Sequence, residues 1–148
     1  HSSRWPLRGA RCVPVASNVK PQVQIDHIQT ESASLVAFGV DAESLLIADN
    51  VSALVKRFGY ARALGRDCAD AVRADLAVAL AEIGATAVVS AGLQEPRVSY
   101  FKTNDTGLFA LVECFVPADN GKVVLLELVV TTDGTSTHIT LEDLSSAA

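Results

Sequence analysis

The sequence predicts an α+β fold, with helices packed on one face of an antiparallel sheet. Three observations carry this. From Thr86 onward the apolar pattern changes from steps of three and four to a period of two. The links between the late apolar runs are too short for parallel crossovers, which need a dozen or more residues. Two earlier segments carry apolar stripes at helical spacing, and each is closed by a glycine.

The expected order begins with an N-terminal β-hairpin. Val23 to Ile28 largely alternates, Ser34 to Val40 is rich in β-formers, and Thr30-Glu31-Ser32 can turn between them. A helix over 42–58 follows, capped by Asp41, with its stripe at positions 47, 51, 54, 55 and 58 and a stop at Gly59. A second helix spans about 66–83. Ala69, Val72, Leu76, Ala79, Leu80 and Ile83 form its stripe, Arg66, Asp70 and Arg73 form a solvated salt-bridge ladder, and Gly84 ends it. The remainder reads as a roughly five-stranded antiparallel β-meander over 86–90, 97–102, 108–116, 123–131 and 135–141. Its turns lie at 103–107, 117–121 and the two-residue Asp133-Gly134.

The chain has 148 residues, which suits one domain, placed at 21–144. Residues 1–20 have no periodicity and read as a disordered or tag- or processing-derived arm; 145–148 read as a frayed tail. Arg4, Arg8, Arg11 and Lys20 precede the first acid, Asp26. The first 22 residues thus carry +4 and, of a total of −5, the remainder carries −9. An acidic body disfavours nucleic acid as a partner, because phosphate contacts need a basic surface. No run approaches the ~20 apolar residues of a membrane span. Cys12, Cys68 and Cys114 are far apart and odd in number, which argues against a disulfide framework or a zinc site and suits reduced thiols in the cytoplasm. His27 and His138 show no metal-ligand spacing, and no phosphate loop, nucleophile elbow or other cofactor motif is present.

The candidate site comes from sheet register. Alternation puts Phe109, Leu111, Glu113 and Phe115 on one face of their strand, and Ala110, Val112, Cys114 and Val116 on the other. If the 117–121 turn sets Phe115 opposite Leu125, then Glu113 faces Glu127. Comparable registers bring Arg97 beside Glu113 and put His138 and Thr140 on the same face. Two opposed carboxylates in apolar surroundings are one way to make a general acid, so Glu113 and Glu127 are the catalytic candidates. Arg97, Glu113, Glu127, His138, Phe109, Phe115 and Leu125 form the candidate binding face. The plainer reading of the same residues is a cross-strand ion pair on a partly exposed sheet. The other face is small and wholly apolar, a bed for the helices.

Two apolar faces need two covers. The leading functional expectation is a small homo-oligomerising domain, without catalysis, that pairs with its own copy through the second face or binds a partner protein or small apolar ligand there. An alternative is a hydrolase, lyase or isomerase with a Glu/Glu/Arg site in an enclosed pocket. A further alternative is an acidic antagonist or adaptor that engages a basic partner.

Overall fold

The computed structural model describes residues 23–25 (backbone alone), 30–102 and 105–146. Within them lie three α-helices and an antiparallel sheet, an α+β arrangement. The order is β1 (Val23–Ile25), α1 (Ser32–Ile47), α2 (Val51–Phe58), a 3-10 turn (Ala61–Ala63), α3 (Cys68–Ile83), β2 (Arg97–Tyr100), β3 (Leu108–Pro117), β4 (Val123–Thr132) and β5 (Thr137–Ser146).

The expected N-terminal hairpin does not form. Ser34 to Val40 is helical, inside α1. Leu35, Phe38, Ala42 and Leu46 recur at helical spacing and are buried, and that period overrides the β-propensity of Val36, Phe38 and Val40. The remaining strand residues expected at 26–28 lie outside the described residues. The single helix expected over 42–58 is two helices. Asp49 adopts a left-handed conformation, Asn50 N–H donates to Leu45 O and Asp49 N–H to Leu46 O, which is a Schellman stop for α1. The stripe of α2, Val51, Leu54 and Phe58, is buried as its spacing requires. In α3 the side chain of Asp67 caps Asp70 N–H, and Gly84, left-handed, closes the far end. Asn120 adds a side-chain bond to Ile83 O.

The meander has four strands rather than five. Residues 86–90 contribute one isolated bridge, Val88 to Ala118. The three-residue β1 pairs instead on the far edge, giving the strand order β1-β5-β4-β3-β2. The last hairpin loop is Asp133–Ser136, two residues longer than the expected turn. Thr132 faces Thr137, and the Asp133 carboxylate accepts from Thr135 and Ser136 N–H. An even change in loop length leaves each side chain on its expected face. β5 continues through Ser146, which pairs with Val124, so Ser145 and Ser146 belong to the sheet.

All three helices lie on one face. Ala110, Val112, Cys114 and Val116 of β3 and Val124, Leu126 and Leu128 of β4 are wholly buried beneath them. α1 packs on β3 and β2, and α3 on β5 and β4. Cys68 is disulfide-bonded, against the reduced thiols that the cysteine spacing suggested, and Cys114 is the free, buried one. Disulfides persist in oxidising compartments, so the thiol argument for the cytoplasm falls away. Among the described residues no helix is long and apolar enough to cross a membrane.

Candidate functional site

The sheet register brings the expected line together. Arg97 lies opposite Glu113, Glu113 opposite Glu127, and Phe115 opposite Leu125. Arg97 Nη1 is 3.8 Å from Glu113 Oε1, and its guanidinium sits 5.2 Å from the centre of the Phe115 ring. This is a loose pair: 67% of the Arg97 side chain is exposed, against 22% of that of Glu113. Water screens such a contact, and a cross-strand pair of this kind stabilises by less than about 1 kcal/mol.

Two residues stand apart from the line. A bulge between Leu108 and Ala110 makes Phe109 the extra residue. Its ring packs edge-on to Tyr100, 5.7 Å away, and against the core cluster. His138 is on the expected register, but opposite Thr131, four residues or ~13 Å along β4 from Glu127. A second bulge, between Glu127 and Leu128, leaves Glu142 as the extra residue and sets Asp143 opposite Glu127. Nothing in Leu141-Glu142-Asp143 announces it, because a bulge is set by how two strands must bend together rather than by local composition.

The outer face is not uniformly exposed. Toward β5 it is closed: Val129, Thr131, His138 and Thr140 are each at most 9% exposed. Toward β2 it is open. Arg97 and Ser99 are exposed and Leu111, Phe115 and Leu125 half-buried, with Phe101 42% exposed beyond the edge strand.

Two polar clusters lie outside the sequence-derived line. Glu43 is buried in α1, where its periodic position belongs to the apolar stripe. Its Oε2 has no hydrogen-bond partner among the described residues, and desolvation pushes its pKa up to about 7. The other cluster joins the 3-10 turn to α3. Tyr60, wholly buried, donates to Asp75 Oδ2 at 2.5 Å, and Arg66 grips both Asp75 oxygens at 3.0 and 3.1 Å. Burial pushes the Asp75 carboxyl up, but the bonds from Arg66 and Tyr60 outweigh it and hold the pKa below the usual range. Burial, and then the bond to Asp75, raises that of Tyr60. Arg66 is therefore not part of a ladder with Asp70; Asp70 instead lies 3.6 Å from Arg73. Beside this network is a cavity of about 360 Å³, bounded by the 3-10 turn, α3 and the end of β5.

Among the described residues no three His, Cys, Asp or Glu side chains gather to hold a metal ion. No known protein family, curated protein or solved structure matches the chain.

Proposed function

We propose that this chain is a small homo-oligomerising binding domain without catalysis, and that the open half of its outer sheet face receives a second copy. The observation that carries this is the half-buried apolar group of Leu111, Phe115 and Leu125, beside an edge strand past whose end Phe101 is 42% exposed. A second copy is the occupant we infer. A two-fold contact sets one patch against itself, so Arg97 of each copy can face the carboxylates Glu113 and Glu127 of the other. Light scattering at micromolar concentration should return twice the chain mass. Phe115→Glu and Leu125→Lys should return the single mass with the helical circular dichroism unchanged. A monomer for the unaltered chain overturns the proposal, and the same face is then free for a partner protein or small apolar ligand.

The register of Glu113 opposite Glu127 supports one other reading, a hydrolase, lyase or isomerase that uses the pair for proton transfer. Glu113→Gln and Glu127→Gln test it: an activity found for the chain and left intact by both substitutions removes the carboxylates from the chemistry.

A further inference from the structure

We propose that the cavity between the 3-10 turn, α3 and the end of β5 is a second binding site, one that takes a small organic cation with an apolar body, such as an alkyl- or arylammonium. Its volume, about 360 Å³, lies within the range of small-molecule sites. Two of its lining residues, Arg66 and Asp75, belong to the Tyr60–Asp75–Arg66 network, in which Asp75 accepts three bonds.

The rim is apolar and open. Leu64 and Val78 both line the cavity and are 56% and 57% exposed. Leu64 is held in the left-handed conformation, φ 51° and ψ 52°, which costs a branched side chain about 1–2 kcal/mol. The turn that imposes it is closed by Arg66, whose backbone N–H and Nε both donate to Ala63 O. A conformation suited to glycine therefore carries a leucine, and its side chain stands in water at the cavity mouth. An apolar ligand body would cover Leu64 and Val78 together.

Charge selects the head group. Arg66 and Asp75 neutralise each other. Of the other charges lining the cavity, Arg62 Nη2 is 3.5 Å from Asp143 Oδ2, longer than the 2.7–2.9 Å of a charge-assisted bond. Glu82, one turn beyond Val78 on α3, is exposed and makes no ion pair among the described residues. Glu82 thus adds a carboxylate that no guanidinium answers among the described residues, so an ammonium gains there and a carboxylate ligand is repelled. The site is separate from the outer sheet face and does not depend on pairing with a second copy.

Titration of the full chain with phenethylammonium, followed by amide chemical shifts, tests the proposal, with hexanoate as the anionic comparison. Saturable shifts confined to residues 62–66, 78–82 and 143–145 are expected, with none from hexanoate. Glu82→Gln, on the exposed face of α3, should weaken the amine about fivefold, the effect of losing one partly exposed ion pair. Leu64→Gly removes the rim side chain while relieving the backbone, so it should fold at least as well and still bind more weakly. Absence of saturation, equal binding of hexanoate, or affinity unchanged by both substitutions overturns the proposal.

Discussion

Glu43 on α1 and Cys114 on β3 are buried within each other's field. Glu43 is 2% exposed, Cys114 not at all, and burial followed by the Glu43 charge raises the pKa of Cys114. The energetic consequence lies with Glu43. Its pKa rises from 4.5 to about 7 in the fold, so the folded state holds a proton that the unfolded state has lost. Stability is then highest below the unfolded pKa and falls as pH rises through 7, by about 3 kcal/mol from this group. Glu43→Gln should flatten the loss between about pH 5 and pH 8, and add about 1–2 kcal/mol at the upper end, since an amide is still buried there. Urea unfolding at the two pH values measures it. An unaltered chain equally stable at both, with Glu43→Gln no different, would refute the assignment.

Gly39 should resist the substitution that usually strengthens a helix. Glycine to alanine in a helix interior ordinarily stabilises by about 1 kcal/mol. Here a Cβ would come 2.9 Å from Pro96 Cγ and 3.0 Å from Cys114 Sγ, between a proline ring and a buried strand. Gly39→Ala is expected to destabilise by about 1–3 kcal/mol through overpacking. Thermal or urea unfolding reads the sign directly, and a stabilised variant would mean that α1 can move away from β3.

What could be read in the sequence follows period and turn length. The faces of β3 and β4, and the pairings of Glu113 with Glu127 and Phe115 with Leu125, follow from alternation and one short turn. Helix α1 was hidden because its period is interrupted by Glu43, a charged residue in an apolar stripe, and its middle is rich in Val and Phe. Neither bulge was legible, and each re-aimed a residue: Phe109 toward Tyr100, and Asp143 toward Arg62. The cavity joins residues up to 83 positions apart, Arg62 to Ser145, which no local pattern encodes.

Tyr60 should matter more for its hydroxyl than a core aromatic usually does. The Tyr60→Phe change leaves Asp75 held by Arg66 and removes a bond to a charged acceptor, so a loss of about 1.5–3 kcal/mol is expected. Asp75→Asn keeps an acceptor but breaks the bidentate grip on Arg66, which closes the turn at Leu64. That variant should lose stability and also broaden amide signals over 61–66. Equal stability of Tyr60→Phe and the unaltered chain would show the hydroxyl bond to be worth no more than its hydration.

The pair of Arg97 and Glu113 gives the sharpest test of whether the outer face is covered in solution. With 67% of the Arg97 side chain in water and 3.8 Å between the charges, Arg97→Ala should cost less than about 0.5 kcal/mol in the single chain. Phe115→Ala, which removes a half-buried ring from the same face, should cost about 1–2 kcal/mol. A second copy laid over this face changes the expectation for Arg97 alone. Its guanidinium would lose water, and removing it would leave Glu113 buried without a partner, which costs several times more. Unfolding midpoints should then depend on protein concentration in the unaltered chain and lose that dependence in Arg97→Ala. A small, concentration-independent cost for Arg97→Ala, with no concentration dependence in the unaltered chain, places Arg97 in water and removes the second copy from this face.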